Sequence, residues 1–205
     1  MKRTLFLFLF LMIVGCSQAE PESTVDQAAA APTAVSIEPT PTATLPPPTA
    51  TPFVPATYEL GTFSKNSVDV TISLAVTAVD QATLISHFAP DEPELHLYSK
   101  DLPPSGIQGV GRPTLLLVES GALTISGETS ADVATTDHYF PTFDEPFALY
   151  PDGPVTLSVP VAIGDGTPET TLNLVYMACS SSGGCKAPVN TTVVFELPQS
   201  IFTTQ

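Results

Sequence analysis

Val68-Asp69-Val70-Thr71-Ile72-Ser73-Leu74-Ala75-Val76 sets an apolar side chain at every second position. Successive side chains of an extended chain point to opposite faces. Val68, Val70, Ile72, Leu74 and Val76 therefore form one apolar row, while Asp69, Thr71 and Ser73 face the other way. A helix would scatter the same residues around its circumference, so the period predicts a half-buried strand. Val155, Leu157, Val159, Val161 and Ile163 repeat the pattern, as do Leu172, Leu174 and Tyr176, and Val193, Phe195 and Leu197. Further strands are predicted near Leu95–Tyr98, Thr114–Glu119 and Ala122–Ser126. Pro103-Pro104-Ser105-Gly106, Pro151-Asp152-Gly153 and Gly164-Asp165-Gly166 read as turns between them. No segment carries a convincing amphipathic helical period. Seven to nine short strands in residues 58–205 predict an all-β antiparallel sandwich, with a barrel as the alternative.

Toward the N-terminus the texture changes. Residues 16–57 are dominated by Ala, Pro, Thr and Ser, as in Thr40-Pro41-Thr42-Ala43-Thr44 and Leu45-Pro46-Pro47-Pro48-Thr49. Such a stretch buries too little apolar surface to offset chain entropy and is expected to be an extended tether. At about 3.1 Å per residue, its reach is on the order of 100 Å. Residues 1–15 read as a secretory signal: basic Lys2-Arg3, an apolar run over Thr4 to Val14, then Gly15. The run is too short to cross a hydrocarbon core of about 30 Å as a helix. Ile13-Val14-Gly15-Cys16 looks like a lipobox, which makes Cys16 the expected lipid attachment point and the membrane a partner through that lipid. An ordinary signal peptide with a chance cysteine is the alternative. The expected location is extracytoplasmic, at the cell surface or in the periplasm.

The charge balance agrees with export and excludes one class of partner. The chain carries 21 Asp+Glu against 6 Lys+Arg, a formal charge of −15. Removal of Lys2 and Arg3 with the signal leaves 4 − 21 = −17. A surface of that sign repels nucleic-acid phosphates, so no nucleic-acid partner is expected.

With Cys16 assigned to lipid, Cys179 and Cys185 remain, enough for one disulfide and too few for a structural zinc site. No metal or cofactor is expected, and His87, His96 and His138 are widely scattered in sequence. The pair sits in Leu172–Leu197, which reads as a strand, a turn of Ser180-Ser181-Ser182-Gly183-Gly184 between the cysteines, then Lys186-Ala187-Pro188 and a second strand. Cysteines on neighbouring strands, about 5.5 Å apart at Cα, suit a disulfide. Closing so small a ring removes only about 2 kcal/mol of unfolded-chain entropy, so the bond is a weak staple. Spacing alone leaves a structural and a redox role both open.

Tyr176-x-x-Cys179-x5-Cys185-x-x-Pro188 followed by a strand resembles the N-terminal periplasmic domain of the thiol:disulfide interchange protein DsbD. Leu95-His96-Leu97-Tyr98-Ser99-Lys100-Asp101-Leu102, Gly106–Thr114 and Asp137-His138-Tyr139-Phe140 are similar to that family's free-standing bacterial relatives, the disulfide bond corrector-like proteins. The likeness spans roughly Val68 to Leu197. It implies an immunoglobulin-like sandwich, with Cys179 and Cys185 as a reversible disulfide passing reducing equivalents to or from thioredoxin-like or DsbD-type partners. It further implies Cys185 as the sulfur attacked and Cys179 as the resolving thiol. Asp137, Tyr139 and Phe140 would form a shielding cap loop, with Tyr139 or Phe140 over the sulfurs. Lys186, Pro188 and Tyr176 would support the pair, Lys186 by stabilising a departing thiolate and Tyr176 mainly by packing.

The chain departs from the pattern in two places: Lys186 stands where the family has an aromatic residue, and the intercysteine loop is only Ser and Gly. No membrane or thioredoxin-like domain follows the sandwich through Gln205, so exchange is expected with separate proteins and the chain is expected to be a monomer. The contrasting expectation is a non-catalytic immunoglobulin-like binding lipoprotein with a structural hairpin disulfide. A purely envelope-structural role has only the tether to support it.

Overall fold

A computed structural model of the chain describes residues 53–182 and 184–202. The chain divides into two units, Met1–Pro48 and Thr49–Gln205. The first unit, with the signal over residues 1–15, Cys16 and most of the tether, lies outside the described residues. Among the described residues no helix is long and apolar enough to cross a membrane.

The second unit is all-β, with antiparallel sheets packed around a shared core, as the sandwich expectation has it. Among the described residues there are thirteen strands, more than the seven to nine expected, because six short ones accompany the seven long ones. The long strands are β1 (Ala56–Lys65), β2 (Val68–Ala78), β3 (Gln81–Pro90), β5 (Leu115–Ser120), β10 (Val155–Ile163), β11 (Glu169–Tyr176) and β13 (Val189–Glu196). The short ones are β4 (Leu95–Leu97), β6 (Leu123–Ile125), β7 (Ser130–Ala131), β8 (Thr136–His138), β9 (Phe147–Leu149) and β12 (Ala178–Ser180). One sheet runs β1-β2-β3-β10-β6, with β7 also on β10, and a second runs β13-β11-β5. Both have open ends, so the barrel alternative does not apply. Two small ladders, β12-β4 and β8-β9, complete the unit.

The apolar rows explain the layering. Val70, Ile72 and Leu74 of β2 and Val155, Leu157 and Val159 of β10 are wholly buried. They share one core with Leu172, Leu174 and Tyr176 of β11. A T-shaped ring contact between Phe88 of β3 and Tyr176, 5.6 Å between centroids, ties the two sheets together. The Tyr176 hydroxyl donates to the Lys65 carbonyl at the end of β1, 2.8 Å away. Lys65 and Val68 are paired across the two-residue turn Asn66-Ser67, both at positive φ, as a type I′ hairpin requires.

Tyr176 also gives the fold a pH signature. Burial pushes its hydroxyl up to about 12, with the Asp69 carboxylate adding to the effect. An unfolded tyrosine loses its proton near pH 10, while the folded one keeps it to a higher pH. This contribution is complete below about pH 10 and is lost as pH rises toward about 12. Urea midpoints should therefore fall between about pH 10 and about pH 12. Tyr176→Phe should make that fall shallower and cost about 1 kcal/mol at neutral pH through the orphaned Lys65 carbonyl.

Candidate functional site

β11 and β13 pair along their whole length, ending at Tyr176 opposite Val189. Beyond Tyr176 the chain changes partner: β12 leaves the sheet and pairs with β4, placing Cys179 opposite His96. The chain then turns back, and Cys179 faces Cys185 in an isolated antiparallel bridge. Ser180 N–H donates to the Gly184 carbonyl at 2.7 Å, and Lys186 N–H donates to the Ala178 carbonyl at 2.9 Å. These bonds flank the cysteines on either side, so Cys179 and Cys185 form a non-hydrogen-bonded pair, the close rung of an antiparallel ladder. Their Cα atoms are 4.0 Å apart and their sulfurs are bonded. The rung is tighter than the spacing of about 5.5 Å expected from sequence, because that value belongs to the wide rung.

The two cysteines are unequally covered. Cys179 is 3% exposed and belongs to a second apolar cluster with Tyr98, Leu102, Ile107, Phe147 and Leu149, whereas Cys185 lies at the surface. The Tyr98 hydroxyl is 3.2 Å from Cys179 Sγ. A disulfide sulfur carries no hydrogen, so the tyrosine is the donor. Burial raises the Tyr98 hydroxyl above its ordinary range, which keeps that proton in place. Phe140, Phe143 and Phe147 pack against one another with centroids 4.9–6.3 Å apart. Together with Tyr98, Val110 and His96 they line a cavity of about 200 Å³ whose floor includes both cysteines and Ser180.

The expected supporting residues fall in different places. Phe140 lines the cavity, while Tyr139 is 73% exposed and is not part of its wall. Asp137 sits in β8, exposed and paired with Ala148 of β9. Tyr176 belongs to the main core. Pro188 is exposed where the chain enters β13. The Lys186 ammonium is engaged by Glu92. Their hydrogen bond raises the lysine and, against some desolvation, lowers the carboxyl. Lys186 is thus committed to a carboxylate rather than left free for a sulfur.

His96, Tyr98, Phe143 and Phe147 are site residues that the reading of individual positions did not assign. His96 is buried, and its Nδ1 lies 3.3 Å from Asp152 Oδ1. A carboxylate only accepts, so Nδ1 carries the proton and Nε2 is the free lone pair. Nε2 is buried and has no hydrogen-bond partner among the described residues. Burial holds the imidazole below its ordinary range, and the bond to Asp152 offsets part of that. His138 packs tilted against Phe140 with centroids 4.4 Å apart, and it shares with His96 and Asp152 a neighbouring pocket of about 260 Å³. No group of three or more metal-ligating side chains occurs among the described residues.

No protein-family model matches the chain, and no curated protein matches it. Among solved structures, the fold is similar to the N-terminal periplasmic domain of ScsB from Proteus mirabilis. That match has 10% identity and a TM-score of 0.48, covering 69% of this chain and 52% of that one. The chain therefore spans about half the length of the ScsB structure. It is also similar to the N-terminal domain of Neisseria meningitidis DsbD in the reduced form, at 19% identity and a TM-score of 0.40, covering 63% and 83%. A third likeness is to the GAE domain of GGA2p from Saccharomyces cerevisiae, at 12% identity and a TM-score of 0.35, covering 70% and 98%. At these identities the likeness concerns the β fold alone, and function has to be argued from the site.

The loop that carries Val110 to the cavity depends on one glycine. Ile107 and Val110 bond each other's backbones, and the Arg112 guanidinium reaches the carbonyls of Ser105 and Gly109 at 3.0 and 3.1 Å. Gly106 has φ +73°, and a Cβ there would lie 1.9 Å from the Val110 carbonyl oxygen. Gly109 has φ +86° with open space around it. Gly109→Ala should cost about 1–2 kcal/mol in urea unfolding, the backbone term alone. Gly106→Ala should cost clearly more, because the loop must also move.

Proposed function

We propose that the chain is an extracytoplasmic thiol-disulfide exchange module that passes reducing equivalents to or from thioredoxin-like partners through Cys179 and Cys185. The observation that carries this reading is the unequal cover of one closed disulfide: Cys185 stands at the surface, and Cys179 lies against an aromatic wall. Exchange requires a thiolate to approach a sulfur along the S–S axis, and access decides which sulfur it reaches. The Cys-x5-Cys-x-x-Pro resemblance supports the same assignment.

In the reducing direction, a partner thiolate attacks Cys185 Sγ and the Cys179–Cys185 bond breaks. Cys179 leaves with the electron pair and takes up a proton. The partner's second thiol then loses its proton and attacks its own sulfur in the mixed disulfide, releasing Cys185. Two electrons enter this pair, and the partner ends as a disulfide. The Tyr98 hydroxyl, already donating to Cys179 Sγ, is placed to stabilise the departing thiolate. Phe140 acts as the shield, as part of the wall it forms with Phe143 and Phe147. In the same reading, residues 1–15 are a lipoprotein signal, Cys16 bears the lipid, residues 16–57 tether a monomeric domain, and Asp137, Lys186, Pro188 and Tyr176 serve as scaffold.

In a chain carrying Cys16→Ser, Cys185 of the Cys179→Ser variant charged with thionitrobenzoate should be attacked by a thioredoxin lacking its resolving cysteine, releasing one thionitrobenzoate and leaving a stable mixed disulfide, whereas Cys185→Ser treated in the same way should yield none. A midpoint far below about −300 mV in glutathione or dithiothreitol buffers, the range of inert structural bonds, would instead support a binding lipoprotein with a stapled loop. Separately, Phe140→Ala should be reduced severalfold faster by dithiothreitol than the native chain, followed by counting free thiols over time.

A further inference from the structure

Three side chains share one row. His96 of β4 is opposite Cys179 of β12, and Cys179 is opposite Cys185. Residues directly opposite across a ladder project to the same face, with Cβ atoms about 5 Å apart. Because the Cys179–Cys185 rung is the non-hydrogen-bonded one, the backbone groups of Cys179 point the other way, into its rung with His96. His96 thus stands on the opposite side of Cys179 from Cys185, and it lines the same cavity as both.

We infer that His96, oriented by Asp152, is the proton-transfer residue for Cys179. Its Nε2 takes the thiol proton when the pair closes to a disulfide and passes it to water; when the bond is broken, Nε2 takes a proton up from water and hands it to the thiolate. The inference rests on the exchange reading above and deepens it, by assigning the proton that the buried sulfur must lose or gain.

The geometry is that of an oriented base. Asp152 holds Nδ1–H and fixes the tautomer, leaving the opposite nitrogen bare. That nitrogen is buried without a partner among the described residues, in a side chain only 6% exposed, an arrangement that costs stability. Asp152, His138 and Tyr98 are the titratable groups that face the ring. Asp152 stabilises the imidazolium, His138 opposes it, and Tyr98 packs at 6.2 Å. With burial keeping the ring neutral near neutral pH, Nε2 is an acceptor when needed. Tyr98 donates to the same sulfur but cannot accept its proton, because its own hydroxyl stays protonated.

The step can be isolated without a protein partner, so its outcome is separate from that of thioredoxin trapping. The full chain carrying Cys16→Ser is reduced and mixed with the aromatic disulfide dithiobis-nitrobenzoate. Cys185 thiolate attacks the reagent and releases one thionitrobenzoate. Cys179 then gives its proton to Nε2, attacks Cys185 Sγ and releases the second, so two electrons leave the pair and two coloured thiolates appear. The second release should rise with pH through the His96 titration and then level off. In His96→Gln it should be about a hundredfold slower at neutral pH and keep climbing with pH without levelling, in the range expected for a lost general base. Asp152→Asn, at a half-exposed position that should tolerate the change, should slow the second release and move the acid limb of the profile to lower pH. Tyr98→Phe should alter the rate without moving that limb. If His96→Gln and Asp152→Asn both gave the native rate with the native pH profile, the assignment would be overturned. If His96→Gln failed to fold, the Asp152→Asn profile alone would decide in the same terms.

Discussion

The close rung between Cys179 and Cys185 governs the geometry of everything around it. An antiparallel ladder alternates wide and narrow rungs, and only the narrow one brings two cysteine side chains together without displacing the backbone. Here its place is fixed by the bonds on either side, from Ser180 to Gly184 and from Lys186 to Ala178. Those bonds hold because β12 has left the β11–β13 sheet and docked on β4. Had the chain continued straight from Tyr176, Cys179 would have extended the β13-β11-β5 sheet and never met the Tyr98 hydroxyl. One change of partner by a three-residue strand thus creates the disulfide's surroundings.

Those surroundings divide into a dry side and a wet side. On the dry side, the phenyl rings and Tyr98 supply apolar wall, with polar relief from the Tyr98 hydroxyl, His96 and Ser180. On the wet side, Cys185 follows a Ser/Gly turn whose serines bond each other, Ser180 Oγ to Ser182 Oγ at 2.7 Å. Charge is kept off the sulfurs: Lys186, adjacent in sequence, is drawn to Glu92, and Asp152 reaches the site only through the imidazole. A thiolate forming at Cys179 would therefore meet dipoles and a titratable ring rather than a fixed cation.

The strands whose apolar period is clean were legible from residues alone. β2, β10, β11 and β13 alternate because one face is buried and the other is wet. β1 and β3 were not singled out, for physical reasons. β3 buries Ser86 among apolar residues and turns Ile85 to the other face, which blurs the period, and β1 is an edge strand with a bulge between Glu59 and Gly61. The cysteine pair was legible because its elements are sequential and its loop is short. The walls were not, because Tyr98 and Cys179 are 81 residues apart and meet only through the β4–β12 pairing. Phe143 and Phe147 gave a faint signal, two aromatic residues soon after Phe140, but nothing in sequence says that they face sulfur. Local pattern therefore identified the bonded sulfurs, while long-range register decided what faces them.

The return arm of the hairpin has moorings of its own. Asn66 Nδ2 donates to the Ala187 carbonyl at 2.7 Å, Lys186 is gripped by Glu92, and the Lys186 amide is tied to Ala178. None of these contacts runs through sulfur. Cleaving the S–S link would thus leave the arm where it is, and the oxidised and reduced molecules would present nearly the same outline. A visitor distinguishing the two states could gain little from shape and would have to sense the chemistry of the sulfurs themselves. A rigid frame of this kind also keeps both thiols within striking distance, so the link can re-form without a search.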